Sequence, residues 1–182
     1  IEKKMKKPII LISTKNWSES LEFAKGRKCD ILSSAMWTKE REREFIFTKS
    51  YIDIPLVLLT KNGTSFINNL SSIKNKKVSI VEDYAILEIL KNKYKDIEFV
   101  TVKNVDEGLE KVLKNEVFGH IDAISTAWYK LQTKYLTQLS ISAKLDEVSK
   151  LSIAVRSDDS ILYEILQKAV LSIDNFVKDD LL

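Results

Sequence analysis

Short apolar runs alternate with amphipathic segments along the whole chain. The apolar runs are typical of buried strands and lie at residues 9–12, 30–33, 54–60, 78–81, 99–102, 121–125, 139–141 and 151–156. Apolar residues spaced three and four apart predict helices at residues 18–25, 84–94, 106–113, 127–135 and 160–177. The end of a further helix stops before Pro8, and a short helical or irregular piece covers residues 66–73. This alternation predicts an α/β fold.

Three residues mark the predicted ends of helices. Gly26 follows the helix at residues 18–25 and ends it as a C-cap. Asp83 caps the helix that starts at residue 84. Thr38 caps a short helix whose first turn is Lys39, Glu40 and Arg41, and Glu40 lies near the positive end of the helix dipole.

Two series of strands and helices are separated by two continuous apolar segments, near residues 57–61 and 151–156. The pattern therefore predicts a discontinuous first lobe made of residues 1–60 and 152–182, and a second lobe made of residues 61–151. Each lobe has its own β-α units, as a small independent core requires.

Composition narrows the class of protein. The 182 residues are 45% hydrophobic and 30% charged, which is ordinary for a soluble globular domain. The net charge is +3 and the lysines are spread along the chain, so we expect no nucleic-acid partner. No apolar run approaches the roughly 20 residues that span a bilayer. No signal peptide is recognisable, so the sequence alone does not fix the compartment.

The sequence contains few residues or motifs typical of catalytic, metal-binding or nucleotide-binding sites. Cys29 is the only cysteine and His120 the only histidine, so no disulfide, and no metal site with Cys or His spacing, is expected. A catalytic Cys29–His120 pair is a remote alternative to two packed core residues. The four glycines form no nucleotide-binding motif, and no G-x-S-x-G sequence is present. We therefore expect no cofactor, no metal and no enzymatic activity.

The stretch from Cys29 to Asn62 contains a run of spaced motifs. A D-I-L sequence starts at Asp30, T-x-x-R joins Thr38 to Arg41, and F-T-x-x-Y is followed by an apolar P-L-V-L strand. Together they resemble the bacterial extracellular solute-binding proteins of family 3, and more narrowly the Venus-flytrap sensor domains of membrane histidine kinases and diguanylate cyclases. The resemblance implies a periplasmic-binding-protein type II fold, with two small mixed β-sheets flanked by helices and two crossover strands as a hinge.

The resemblance also implies a ligand site. Arg41 is the residue that grips a ligand carboxylate, since a guanidinium offers a planar fork that matches a carboxylate. The alternative from the charge run alone is that Arg41 is a solvated helix residue beside Glu40, Glu42, Arg43 and Glu44. The motif favours the ligand role for Arg41 and not for Arg43. The full set of predicted ligand-binding residues is Arg41, Thr38, Met36, Trp37, Tyr84, Ala85, Thr126 and Trp128.

The sequence departs from the family pattern at several points. Ala127 stands where amino-acid-binding members place an aspartate for the ligand ammonium, so an α-amino-acid ligand is in doubt. The loop from Glu82 to Ala85 replaces a Gly-Thr or Gly-Ser pair at a helix N-terminus; its N–H groups can still hold an anion, although Asp83 opposes it. The family's opening strand, central in lobe 1, has no counterpart before Ile1, so either the given chain is a truncated piece or the partner strand comes from elsewhere.

Three classes of function follow. The first is an extracytoplasmic sensor domain that binds a small carboxylate, an amino acid or an organic acid, and closes to signal to a membrane-bound output domain. The second is a degenerate, non-binding scaffold or dimerisation domain of a sensor, and a transporter's solute-binding subunit is a further alternative. The third is a dehydratase acting on cyclic carboxylates, and no residue of the sequence supports this function. A tether to a membrane protein is expected, and homodimerisation is left open.

Overall fold

The computed structural model describes residues 2–173, with the backbone alone at residues 3 and 4. The chain divides into two compact units: unit 1 contains Ile1–Asp53 and Lys150–Leu182, and unit 2 contains Ile54–Ser149. Both divisions fall within strands, β3 (Ile52–Lys61) and β7 (Leu139–Arg156). The predicted lobe boundaries, after residues 60 and 151, lie inside the same two strands.

Unit 1 is built on the C-terminal part of β7. Strands β1 (Ile31–Met36) and β2 (Phe45–Phe47) flank this part, and each runs antiparallel to it. Val155 accordingly pairs with Ile31 on one side and with Ile46 on the other. The remaining elements are α1 (Glu2–Met5), α2 (Trp17–Lys25), a 3₁₀ turn (Arg41–Arg43) and α6 (Ser160–Leu171).

Helices cover both faces of this small sheet. Successive residues of a strand point to opposite faces, so Ala154 packs with Ala24 of α2 on one face, while Val155 packs with Leu166 and Val170 of α6 on the other. Burial on both faces explains why the end of β7 is a continuous apolar run rather than an alternating one. The predicted C-cap at Gly26 is confirmed.

The predicted buried strand at residues 9–12 is wrong. These residues belong to no strand, and the side chains of Ile10 and Leu11 are 82% and 86% exposed. Within the described part of the chain, no backbone hydrogen bond joins residues 10–14 to another segment. An apolar run forms a strand only when a neighbour supplies its hydrogen bonds and covers its side chains, and residues 9–12 have no such neighbour.

Unit 2 contains a mixed sheet. Its strands are the bulk of β3, β4 (Lys77–Val81), β5 (Glu98–Val102), β6 (Gly119–Ala123) and the N-terminal part of β7. Its helices are a 3₁₀ turn (Leu70–Ser72), α3 (Ile86–Lys93), α4 (Val105–Leu113), α5 (Ile124–Lys130) and a π-helix (Leu131–Tyr135). The described strands of both units form one seven-stranded sheet in the order β1-β7-β3-β6-β4-β5, with β2 also on β7, so β7 and β3 link what was predicted as two small sheets. Strand β4 is parallel to β5 and β6, while β3 and β6 are antiparallel. A buried Thr60–Ser142 hydrogen bond joins β3 to β7.

The core of unit 2 lies between the sheet and its helices. Its buried members are Val57, Leu59, Leu109, Val112, Val117, Ala127, Leu131, Tyr135 and Leu139. These residues come from two strands, two helices, the π-helix and the loop before β6, so the unit has a core of its own. Burying each large aliphatic side chain contributes about 1.5–3 kcal/mol.

Several elements begin or end at residues other than those predicted. Asp83 does not cap α3: its φ is +60°, in the left-handed region, and the helix begins at Ile86 after Ala85 without a side-chain cap. The predicted strands at 139–141 and 151–156 are parts of the single 18-residue strand β7. The predicted helix at 127–135 begins earlier, as α5, and ends as a π-helix. Helix α6 ends at Leu171, and the predicted continuation over 174–177 lies outside the described residues.

Candidate functional site

In unit 1 the predicted ligand residues follow the end of β1. The side chain of Thr38 accepts a hydrogen bond from the backbone N–H of Arg41 at 3.2 Å, as expected of a cap, but the helix is only the 3₁₀ turn that begins at Arg41. The N–H of Glu42 also donates to the carbonyl of Thr38 at 3.2 Å, so the chain does turn from Lys39 onwards, although the assigned helix is shorter than predicted. The hydroxyl bond nevertheless ties the backbone of Arg41 to the end of the strand.

The side chain of Arg41 folds back onto this strand end. Its Nη1 donates a hydrogen bond to the carbonyl oxygen of Met36 at 2.7 Å. Its guanidinium carbon lies 5.4 Å from the centre of the Trp17 ring, within cation–π distance. Arg41 is half-buried, whereas Arg43 is exposed. Arg41 thus differs from the solvated charges around it, as the sequence motif indicated.

A guanidinium held in this way is suited to an anion. The aromatic ring and the carbonyl reduce the number of conformations that the long side chain can adopt, so less entropy is lost when the planar fork binds a carboxylate. Trp17 lies at the start of α2, in a different element from Arg41. It precedes Arg41 by 24 positions and belongs to no motif, so nothing in the sequence alone links the two residues.

In unit 2 the predicted ligand residues follow two adjacent parallel strands. Tyr84 and Ala85 come after β4, and Thr126 and Trp128 come after β6 in α5. Because β4 and β6 are parallel neighbours, their carboxyl ends lie at the same edge of the sheet, where α/β folds commonly bind ligands. Tyr84, Ala85 and Thr126 are half-buried there, while Trp128 is 57% exposed.

Two effects act on the hydroxyl of Tyr84. Burial raises its pKa well above the usual range, and the negative charge of Asp122 raises the pKa further. Both effects oppose ionisation. Tyr84 therefore stays protonated at neutral pH and can donate a hydrogen bond at this edge of the sheet.

Behind this edge lies a buried polar set that the sequence reasoning missed. His120 Nδ1 is 2.9 Å from the Ser79 hydroxyl, and His120 Nε2 is 3.6 Å from a carboxylate oxygen of Asp122. Asp122 also accepts a hydrogen bond from the N–H of Ala123 at 2.6 Å. The sequence alone could have indicated part of this set, since His120 and Asp122 are two apart on one strand and such residues share a face. Ser79 and His120 are fully buried, so they line no open surface of unit 2.

The remaining candidate residues offer no further site. Burial raises the pKa of the Cys29 thiol, with a contribution from Asp30, so the thiol is a poor nucleophile at neutral pH. Cys29 belongs to unit 1, while His120 lies in the core of unit 2. Across residues 2–173, no cluster of His, Cys, Asp and Glu side chains could hold a metal ion. None of the helices in that range is long and apolar enough to cross a membrane.

A comparison of the sequence with protein families decides the assignment. The model of the bacterial extracellular solute-binding proteins, family 3, matches residues 1–175. The chain belongs to this family. The resemblance seen in the T-x-x-R and F-T-x-x-Y motifs is therefore confirmed, and family 3 membership extends over nearly the whole chain.

Individual relatives agree with this family 3 assignment. The virulence sensor protein BvgS of Bordetella pertussis is 20% identical over 166 residues, which are 91% of this chain and 13% of BvgS. The chain thus spans about one eighth of the length of this curated relative.

Solved structures of relatives show the fold. The periplasmic VFT2 domain of Bordetella pertussis BvgS superposes with a TM-score of 0.86 at 19% identity, covering 96% of this chain and 74% of that one. An ancestral arginine-binding protein bound to arginine gives a TM-score of 0.78 at 20% identity, covering 93% of this chain and 76% of that one. The predicted Venus-flytrap, periplasmic-binding-protein fold is confirmed.

Proposed function

We propose that this family 3 domain is an extracytoplasmic sensor that binds a small carboxylate-bearing ligand and signals by closing on it. The ligand is an amino acid or an organic acid, and the output domain is membrane-bound. The observation that carries the proposal is the arrangement of Arg41, whose guanidinium is held by the Met36 carbonyl and the Trp17 ring. A cation fixed at a strand end is what recognition of a carboxylate requires.

Unit 2 carries its own candidate ligand-binding residues. Protonated Tyr84 supplies a neutral donor, and Thr126 adds a hydroxyl at the same sheet edge. Trp128 and, in unit 1, Trp37 are large aromatic side chains with 57% and 49% exposure, and their burial on a ligand would be favourable. Ala127 is fully buried and offers no charge for an ammonium group, so organic acids are favoured over α-amino acids.

The sensor role and the location rest on the relatives. BvgS is named a virulence sensor protein, and its solved domain is described as periplasmic. We propose the same setting for this chain, with a tether to a membrane protein in the intact polypeptide. Fractionation of cells that produce the intact polypeptide tests this location. Recovery of the protein in the cytoplasmic soluble fraction contradicts it.

A thermal-shift screen with small carboxylates tests the binding function. A ligand that binds only the folded state stabilises it by RT ln(1 + [L]/Kd), which is about 2.7 kcal/mol at a hundredfold excess over Kd. We expect at least one mono- or dicarboxylate to raise the unfolding temperature, and its amide counterpart, the matched control, to leave it unchanged. Equal shifts with acid and amide contradict recognition of the carboxylate.

A non-binding scaffold is the second candidate. The neutral, buried Ala127 and the acidic Asp83 beside the half-buried Tyr84 are the observations that favour it, since neither side chain suits an amino-acid ligand. The same screen separates the two functions. If no carboxylate shifts the unfolding temperature while the purified domain self-associates, the scaffold function replaces the sensor function.

A further inference from the structure

A groove of ≈ 540 Å³ lies in unit 2, at one edge of its sheet. Its lining comes from the carboxyl end of β3, the amino end of β4 and the turn between α4 and β6. Because β6 runs antiparallel to β3 and parallel to β4, these three parts of the chain meet at the same edge. Tyr84 and Thr126 follow the carboxyl ends of β4 and β6, at the opposite edge. The groove is therefore separate from the candidate carboxylate-binding residues of unit 2.

The groove carries an excess of positive charge. Its ionisable lining residues are Lys61, Lys76, Lys77 and Glu116. The Nζ of Lys77 lies 3.2 Å from a carboxylate oxygen of Glu98, its register partner on β5. Glu116 is paired as well, since its carboxylate lies 2.9 Å from the Nζ of Lys111. Both nearby carboxylates are thus engaged with other lysines and do not neutralise the remaining two.

Lys61 and Lys76 are these two remaining lysines. Within residues 2–173, no carboxylate oxygen lies within ion-pair distance of either ammonium group. The Nζ of Lys76 lies 5.6 Å from the centre of the Phe118 ring, which is half-buried and also lines the groove. Lys61 is half-buried, and its backbone carbonyl accepts a hydrogen bond from the Thr64 hydroxyl at 2.8 Å. Two cations at one concave surface repel each other, so an anion that binds between them is favoured.

Neutral donors and apolar side chains make up the rest of the groove. Asn75 and Asn115 line it, and neither side-chain amide has a hydrogen-bond partner in the described part of the chain. Val112 and Val117, which are buried, supply apolar lining. Small-molecule sites are usually concave, with apolar walls and a few polar groups, and occupy roughly 300–1,000 Å³. The groove has this composition and size.

We propose that this groove is a second ligand site of the domain and binds the phosphate group of an anionic ligand. Its described lining contains no arginine, so it lacks the planar fork that matches a carboxylate. Ammonium groups act as point charges, and together with amide N–H donors they suit the oxygens of a tetrahedral anion. The phosphate group belongs either to a soluble phosphorylated molecule or to the headgroup of an anionic phospholipid, since both present the same chemistry.

Titration of the full chain, followed by amide chemical shifts in NMR, tests the proposal. At constant ionic strength, inorganic phosphate or pyrophosphate should cause saturable shifts at residues 61–64, 75–77 and 115–118, and acetate should not. Equal saturable shifts with acetate, or saturation at other residues only, overturn the proposal.

Vesicles separate the two sources of the phosphate group. We compare sedimentation of the chain with vesicles of phosphatidylcholine alone and with vesicles that also contain phosphatidic acid. Saturable binding of the free anions supports a soluble ligand, and binding only to the phosphatidic acid vesicles supports a lipid headgroup. If neither the free anions nor the vesicles bind, the proposal is overturned.

A matched pair of double variants distinguishes this groove from the general charge of the chain. Lys61→Gln/Lys76→Gln removes the two unpaired charges, while glutamine keeps most of the side-chain packing. Lys91→Gln/Lys144→Gln is the control, because both residues are exposed, lie in unit 2 and do not line the groove. We expect the first variant to raise the Kd of the bound probe at least about tenfold and the control to change it less than about twofold. Equal effects of the two variants overturn the proposal.

Arg41→Ala keeps this site distinct from the proposed carboxylate site. It should leave the Kd for phosphate unchanged, since Arg41 belongs to unit 1 and the groove to unit 2. A loss of phosphate binding in Arg41→Ala equal to that in Lys61→Gln/Lys76→Gln overturns the second site. Failure of the carboxylate screen, by contrast, leaves the phosphate titration unaffected, so the two proposals fail separately.

Discussion

The guanidinium of Arg41 contacts both the backbone carbonyl of Met36 and the aromatic ring of Trp17. Exposed Arg43 is two positions away in the same 3₁₀ turn and carries the same charge. The two arginines therefore form a natural comparison: the overall electrostatics of the turn are shared, and only the local contacts of the side chains differ.

The first prediction concerns this pair. Arg41→Ala should weaken binding of a carboxylate ligand by about 2–5 kcal/mol, since it removes a charge-assisted and often bidentate contact. This corresponds to at least roughly thirtyfold in Kd. Calorimetric titration with the acid found in the thermal-shift screen measures the change. Arg43→Ala is the control and should change Kd much less. Equal losses of ligand affinity in both variants would show that binding depends only on the overall charge of the turn.

Gly108 is a second residue whose identity follows from close packing. It lies in α4, and a Cβ atom built at this position would be 2.5 Å from His120 Cε1. The imidazole is fully buried and hydrogen-bonded to Ser79, so it cannot move away without losing that bond. Glycine at position 108 is required by the histidine rather than by the helix backbone.

We therefore expect Gly108→Ala to lower the free energy of unfolding by about 1–3 kcal/mol, despite the better helix propensity of alanine. Urea denaturation of the single variants and of Gly108→Ala/His120→Ala measures the coupling. Because the smaller side chain at position 120 removes the overlap, the double variant should lose less stability than the sum of the two single variants. Strict additivity would mean that the helix moves to accommodate the methyl group.

At the scale of elements, two helices begin in the same way. Asn16 and Asn104 each accept a hydrogen bond from the N–H three residues later, at 2.9 Å. The glutamate at that later position, Glu19 or Glu107, accepts in return from the N–H of the lysine before the asparagine. This K-N-x-x-E pattern is close to a capping box. The pattern is visible in the sequence, because all of its members lie within five consecutive residues.

Replacing one of these caps gives the third prediction. Asn104→Ala should destabilise the domain by about 1 kcal/mol, because an N–H in the first turn of α4 loses its partner. Asn104→Asp keeps an acceptor oxygen and should retain most of the stability. The change should appear in the urea midpoint with an unchanged m-value. If the aspartate variant loses as much stability as the alanine variant, the amide group is needed at this position and an acceptor oxygen alone is not sufficient.

At the scale of the whole molecule, two compact units share the strands β3 and β7. Each unit has its own buried core. Closure on a ligand is a general property of two-lobed binding folds.

The fourth prediction is that the carboxylate ligand reduces the radius of gyration measured by small-angle X-ray scattering. A ligand shifts the equilibrium between open and closed forms only as far as it binds one form better. Arg41→Ala at the same ligand concentration should leave the radius unchanged if the ligand is then unbound. Binding in calorimetry without compaction would separate recognition of the ligand from signalling by closure.

The features that the sequence predicted correctly depend on neighbours along the chain. The helices, the end of α2 at Gly26 and the buried strands of unit 2 follow from the spacing of apolar residues and from cap residues. The family resemblance likewise rested on a short stretch, and the fold that it implied is confirmed. The set of ligand residues stays a prediction, apart from the contacts now described for Thr38 and Arg41.

Other features depend on partners that are distant in sequence. Residues 9–12 have the apolar run of a strand, yet the hydrogen bonds that would make them one must come from another segment, and none of residues 2–173 supplies them. The contact of Arg41 with Trp17 joins two elements, and the overlap of Gly108 with His120 joins a helix to a strand. Local patterns thus determined which segments favour helix or strand, while the tertiary structure decided which of them found partners, because pairing and packing are non-local.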